Sequence, residues 1–342
     1  MSPLAAAPVR RGRLRRADCA GPGIRRRRRG RGFSYEDADG ETIEDEETLA
    51  RIRSLAIPPA WEEVWICPDP LGHIQATGYD EASRKQYLYH DRWQQRQAER
   101  KFELVREFAA RLPKLRRAVT ADLRRRGMPR ERALACAIRL LDLGFFRVGS
   151  EVYAEENESF GLATVRREHV TISGGEVVFD FPAKSGQRRV QSIRDEPTRR
   201  AIEAMRRRHG GPEDLLAYRL GSEWRDVRSE EINAYIHEQI GERFTAKNFR
   251  TWHGTVLAAV ALAGEEPPRS AAAAKRTIAR AVDQVSDALG NTPAVCRASY
   301  IDPRVLDRYR DGVTIRPAAS ANGRMSARAR AKIEREVLRL IS

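Results

Sequence analysis

The hydrophobic period changes along this sequence, and that change limits the fold more than any other feature. From Phe33 to about Trp93 the chain offers short β-rich runs, EEVWICP, GHIQATG and KQYLYH, punctuated by Gly, Pro and Asp. Such spacing predicts strands joined by turns. Residues 94–126 are charge-rich with apolar positions at helical spacing, and Pro113 predicts a break into two helices. The expected architecture is therefore α+β. A small, mostly β domain covers 33–96, a larger and mainly α-helical domain covers 97–342, and a border or hinge lies near Asp91–Gln97.

One stretch of the second domain departs from the helical pattern. Residues 168–194 read as a strand, a Gly174-Gly175 turn, a second strand, a short loop at Ala183–Gln187 and a third strand. The helical period then returns. Ile232, Tyr235, Ile236 and Ile240 share one face, as do Phe249, Trp252, Val256 and Val260 further on. Ile278, Val282, Val285 and Leu289 mark a third helix, which Gly290 should end. Thr292 suits the cap of the next helix and Pro293 its first position. Asn291 is thus placed at a helix–helix junction, with Tyr300 about two turns beyond. The last residues, SARARAKIEREVLRLIS, predict a terminal amphipathic helix.

At 342 residues, 41% of them hydrophobic, the chain can bury two cores. Its formal net charge is +15. Residues 1–32 hold eleven arginines and one aspartate, so ten of those charges sit in an Arg-rich segment with few apolar side chains. This segment reads as a disordered tail, either an arm laid along phosphates or a solvated extension. Cys19, Cys67, Cys136 and Cys296 form no CxxC pair, and the six histidines form no HxxxH or HExxH, so neither zinc nor a disulfide framework is indicated. No apolar run approaches membrane-spanning length, and the N-terminus lacks the apolar core of a signal peptide. The expectation is a cytoplasmic protein.

Several motifs carry a resemblance to type IB DNA topoisomerases, especially the compact poxvirus and bacterial forms. The first, IPPAWEEVWICPDPLGHIQATGYDEASRKQYLYHDRW at 57–93, resembles an N-terminal block shared with the cellular enzymes. FFRVGSEVYAEENESFGLATV at 145–165 resembles the block with the first catalytic arginine, which implies that role for Arg147. FPAKSGQ at 181–187 is similar to the hairpin bearing the catalytic lysine, implying Lys184. TAKNFRTWHGT at 245–255 is similar to the helix with the second arginine, implying Arg250, and LGNTPAVCRASY at 289–300 to the segment ending in the nucleophile, Tyr300.

The chemistry suits these residue types. Breaking a DNA phosphodiester reversibly needs a nucleophile, cations for the non-bridging oxygens in the transition state, and a proton for the leaving oxygen. Arginine forks onto two oxygens and stays charged, whereas lysine has a transferable proton. The resemblance further implies that Lys247 assists Lys184. It also implies a duplex DNA partner, held by a monomer that clamps it near the nucleoid, and no metal, nucleotide or other small-molecule cofactor. One position departs from the family pattern. Asn291 replaces the usual histidine; its amide can still donate to a phosphate oxygen but carries no charge. The lesser alternative is that Asn291 only closes the helix junction.

Arg84, Gln86, Tyr87, Tyr89 and Tyr153 match positions where the family contacts DNA. Read as a strand, RKQYLYH places Tyr87 and Tyr89 on one face, suited either to phosphate contact or to a half-buried aromatic surface. Two other classes fit part of the pattern. A tyrosine recombinase uses a related set of side chains but has histidine three residues before the second arginine, where this chain has Lys247. A non-catalytic, arginine-tailed DNA-binding protein would account for the basic segment and for Asn291, but not for Tyr300, Lys184 and both arginines in their motifs.

Overall fold

The structure, a computed structural model, describes residues 12–149, 159–183, 186–316 and 326–342. The chain divides into two units, the first ending at Lys101 and the second beginning at Phe102.

The first unit contains β1 (Ile24–Arg29), β2 (Gly32–Glu36), α1 (Glu46–Ser54), β3 (Glu62–Ile66), β4 (Ile74–Tyr79) and β5 (Lys85–Tyr89). The strands form one antiparallel sheet in the order β2-β1-β3-β4-β5. Its small core gathers Ile24, Ile52, Val64, Ile66 and Ala76, with Trp61 and Leu88 packed against them.

The Arg-rich segment is not a disordered tail over the residues described. Arg25–Arg29 lie within β1, an inner strand paired with β2 on one side and β3 on the other. Sheet formation here needs little apolar content from the strand itself. Pairing with β2 along Arg25–Arg29 and with β3 at Ile24 and Arg25 satisfies its backbone, and Ile24 is buried. Arg26 donates to the carbonyls of Pro58 (3.1 Å) and Trp61 (2.5 Å) and stacks over Phe33. Upstream, Arg15 exchanges backbone hydrogen bonds with Leu71 and His73. The N-terminal unit therefore includes residues read from sequence as outside it.

A further expectation fails at α2 (Asp91–Asp122), since Pro113 lies inside this helix and does not divide it. Residues 91–97 form its first turns, and the division between the two units falls a few residues further along the same helix. An internal proline costs about 3 kcal/mol or more. The helix continues because Phe102, Val105, Phe108, Ala109, Leu112, Leu115 and Val119 form one buried stripe that passes Pro113 without a break. At about 1.5–3 kcal/mol for each large apolar side chain, that burial outweighs the lost hydrogen bond.

The second unit continues with α3 (Arg130–Gly144), a single 3-10 turn at Arg167–His169, β6 (Val170–Ser173), β7 (Glu176–Pro182), β8 (Arg188–Ile193), α4 (Glu196–Arg206), β9 (Ala217–Leu220) and β10 (Glu223–Asp226). Helices α5 (Ser229–Ile240), α6 (Ala246–Ala263), α7 (Ala271–Leu289), α8 (Pro293–Ser299), α9 (Pro303–Arg310) and α10 (Ala327–Leu340) follow. The three-stranded sheet β6-β7-β8 lies where the alternation placed it. The β9-β10 hairpin was not anticipated. Helices α3 and α6 are apolar nearly all round and are enclosed by the others, as such helices must be.

A buried ion network fastens α10 to the centre of this unit. Arg116 of α2 pairs with Asp142 of α3 at 2.8 Å and with Glu334 of α10 at 2.6 Å. Arg330 of α10 pairs with the same two carboxylates at 2.7 and 3.1 Å. These cations hold the Asp142 carboxyl well below its ordinary range despite full burial.

Candidate active site

Helix α3 ends at Gly144, and Phe145 adopts the left-handed conformation at its C-cap. The chain then runs through Arg147 and is held by backbone hydrogen bonds from Leu162 to the Arg147 carbonyl (2.8 Å) and from Ala163 to that of Val148 (2.7 Å). The two strips meet at Gly149 and Gly161, where a Cβ added to Gly161 would fall 2.3 Å from Gly149 Cα. Only glycine permits this approach, which fixes where the Arg147 side chain begins its reach.

That reach ends at the C-terminus of α7. Arg147 Nη2 donates to the Gly290 carbonyl at 2.7 Å and to Asn291 Oδ1 at 2.5 Å. Arg250, on the first turns of α6 and only 5% exposed, donates through Nη2 to the Leu289 carbonyl at 2.7 Å and through Nη1 to that of Phe145 at 2.5 Å. The two guanidinium groups thus share one helix end, where the backbone carries partial negative charge. Burial, and then the neighbouring Arg147, pull the Arg250 pKa down to about 10, which leaves it protonated at neutral pH.

Gly290 closes α7 in the left-handed conformation, the Thr292 side chain caps α8 by accepting from Val295 N–H, and Pro293 opens that helix. Tyr300 is the C-cap of α8, its N–H donating to the Cys296 carbonyl at 2.9 Å. The Arg250 guanidinium carbon lies 5.3 Å from the centre of the Tyr300 ring. Arg147, Arg250, Tyr300 and Lys247 line one cleft of about 340 Å³ together with Phe160 and Gly161. Lys247 is exposed on the first turn of α6. Chemically, this is a phenol beside two fixed cations and an exposed one, in a space large enough to admit a phosphodiester.

These features coincide with matches to known proteins. The sequence model described as "Eukaryotic DNA topoisomerase I, catalytic core" matches residues 90–320, and that described as "Bacterial DNA topoisomerase IB, N-terminal domain" matches residues 32–80. The chain is 32% identical over 297 residues to DNA topoisomerase 1B of Acanthamoeba polyphaga mimivirus, covering 84% of this chain and 88% of the relative. The chain belongs to the type IB DNA topoisomerases. DNA topoisomerase I of Monkeypox virus is more distant, at 23% identity over 73% of this chain and 76% of its own length. DNA topoisomerase 1 of Candida albicans is 26% identical over 46% of this chain and 19% of its own length.

Of the side chains that the topoisomerase motifs single out, the structure brings together Arg147, Arg250, Asn291 and Tyr300, with Lys247 on the same cleft. Lys184 and Tyr153 lie outside the described residues. In the N-terminal unit, Tyr87 and Tyr89 do share a face of β5. Both are exposed, at 42% and 37%, and their rings stack with centroids 6.0 Å apart. Gln86 points to the other side of the strand, where it donates to Asp80 at 2.8 Å, and Arg84 pairs with that same carboxylate at 2.9 Å.

Sequence reasoning missed Arg189. Its Nη2 donates to the Ala288 carbonyl at 2.5 Å, so Ala288, Leu289 and Gly290 each receive a different arginine. A usable signal existed. Alternation along RRVQSI puts Arg189 on the face of buried Ile193, directly opposite Phe181 of β7, whereas Arg188 faces solvent.

Proposed function

We propose that this type IB topoisomerase relaxes supercoiled double-stranded DNA by transient cleavage of one strand. Tyr300 attacks phosphorus, becomes joined to the 3′-phosphate and releases a 5′-hydroxyl. Arg147, Arg250 and the Asn291 amide hold the non-bridging oxygens, and Lys184, assisted by Lys247, protonates the leaving oxygen. The free end turns, and the 5′-hydroxyl then attacks back. The phosphotyrosine bond retains the energy of the phosphodiester, so no nucleotide is consumed. The reading also takes the enzyme to act as a monomer that clamps the duplex in a bacterial cytoplasm, with no metal or small-molecule cofactor. Tyr87 and Tyr89 of the N-terminal unit serve as contacts to the DNA.

One observation carries this reading: Arg147, Arg250, and Asn291 with Tyr300 come from three separate segments and converge on a single helix end and cleft. Preorganised cations of this kind stabilise charge where it develops. The test is relaxation of supercoiled plasmid in EDTA without ATP, together with denaturant trapping of protein on end-labelled DNA. Wild type should relax the plasmid and leave a covalent adduct, and Tyr300→Phe should do neither. Relaxation by Tyr300→Phe, or its complete absence from wild type, would overturn the proposal.

A further inference from the structure

The motifs supply two arginines for the phosphate, but the structure gathers three. Arg189 donates to Ala288 through Nη2, with a longer contact from the same nitrogen to Gln191 Oε1 at 3.2 Å. Its Nη1 lies against Gly290, close enough that a Cβ on that residue would stand 3.1 Å away. Arg147, Arg189 and Arg250 line a second, small recess of about 20 Å³ with Phe181 and Leu289. This recess shares Arg147, Arg250, Phe160 and Gly161 with the cleft that holds Tyr300. Among the described residues none of the three is paired with a carboxylate.

The electrostatics of this group are unbalanced. Three full positive charges face the end of α7, whose dipole supplies only about half a negative charge. Burial lowers the pKa of Arg189, and the proximity of Arg147 lowers it further. Arg147 and Arg189 both lower the pKa of Arg250 as well. Like charges held this close in a part-buried recess define a place for an anion, because an anion relieves both the repulsion and the lost hydration.

We propose that Arg189 is a third cation of the scissile-phosphate pocket, acting on the non-bridging oxygens beside Arg147 and Arg250. It supplies there a charge that the Asn291 amide lacks. This assignment rests on the cleavage reaction proposed above and adds a residue to it.

The test uses the full chain and a duplex carrying its mapped cleavage site, in single-turnover formation of the covalent adduct at saturating protein. Arg189→Gln should slow adduct formation on the order of 100-fold, as loss of one such donor does elsewhere, with duplex affinity near that of wild type. Arg189→Lys, which retains the charge, should recover part of the rate. The deciding comparison replaces the scissile phosphate by a neutral methylphosphonate. There the Arg189→Gln penalty should largely disappear, because one non-bridging oxygen is gone and one unit less negative charge has to be neutralised. An equal penalty on both substrates would make Arg189 a packing residue and overturn the assignment, as would a wild-type rate for Arg189→Gln. If wild type itself forms no adduct, both readings fall; if it forms one and Arg189→Gln matches it, only this one does.

Discussion

Asn291 Oδ1 accepts a 2.5 Å hydrogen bond from Arg147 Nη2, while the Nδ2 of the same amide is buried without a partner among the described residues. The orientation follows from chemistry, since a guanidinium has donors only and the amide must turn its oxygen toward it. An unmet buried donor costs about 1–3 kcal/mol. An acceptor arriving with substrate removes that cost, and a phosphate oxygen is such an acceptor.

Substitutions at Asn291 should therefore separate the donor from the helix junction. Asn291→Ala removes the donor and should slow single-turnover cleavage on the order of 100-fold. Asn291→Asp should be slower still, because its carboxylate has no proton to donate and pairs with Arg147 where the phosphate must bind. Asn291→His should remain active, since imidazole restores a donor at this point. Wild-type cleavage by Asn291→Ala would show that the residue only closes the junction between α7 and α8.

A second prediction concerns how Tyr300 is seated. A Cβ on Gly254 of α6 would fall 2.5 Å from the Tyr300 carbonyl oxygen and 3.0 Å from Tyr300 Cβ. Alanine at an ordinary helical position gains about 0.5–1 kcal/mol over glycine. Here the overlap should reverse the sign, and Gly254→Ala should lose about 1–3 kcal/mol of stability. Because a displacement of about 1 Å can cost on the order of 100-fold in rate, cleavage should fall more than stability alone explains. Thermal melting and adduct formation measure the two effects, and a variant with an unchanged cleavage rate would show that Tyr300 is seated by other contacts.

What the sequence made legible follows from local rules. The ends of α7 and α8 were readable because Gly290, Thr292 and Pro293 are cap residues whose effect does not depend on the rest of the fold. The β6-β7-β8 sheet was readable from alternation in the same way. Strand β1 was not, because its order comes from β2 and β3 on either side of a run of arginines, and no window of its own sequence contains them. Pro113 misled for a related reason, since the stripe that keeps α2 intact gains its energy from partners distant in sequence. Motif resemblance named Arg147, Lys247, Arg250, Asn291 and Tyr300, which the structure gathers, while the approach of Arg189 to them shows only once the α7 carbonyls are in place.

Acid should weaken the second unit through His253 before it reaches the carboxylates. His253 Nε2 lies 3.2 Å from Arg330 Nη2, which can only donate, so the ring accepts and is neutral. Burial holds its pKa below the ordinary 6.5. The unfolded chain therefore binds a proton first, and this contribution is whole above about pH 6.5 and drains as pH falls toward the lower folded value. Asp142 is depressed from 3.8, so its contribution is lost only at more acidic pH. The melting temperature should fall between pH 6.5 and 5, and His253→Gln should flatten that slope. The part that persists in this unit belongs to His169, which burial also lowers. Equal slopes in the two proteins would remove His253 from this account. Asp142→Ala, by contrast, should cost about 3–5 kcal/mol at neutral pH by stranding Arg116 and Arg330.

The arginine strand yields a prediction opposite to the one a disordered tail would give. Deleting residues 1–31 removes β1 and with it the buried Ile24, so the N-terminal unit should lose its cooperative melting rather than merely bind DNA less tightly. Charge is better tested by substitution. Arg25, Arg28 and Arg29 are exposed, whereas Arg26 is held by two carbonyls and Arg27 by Glu36 at 2.8 Å. Changing the first three to glutamine should leave the sheet folded. If all three neutralise phosphates, the slope of log K against log salt should become shallower by about 0.9 for each, close to three in total, with the adduct-forming rate at saturating protein unchanged. An unaltered salt slope would show that these side chains face solvent when DNA is bound.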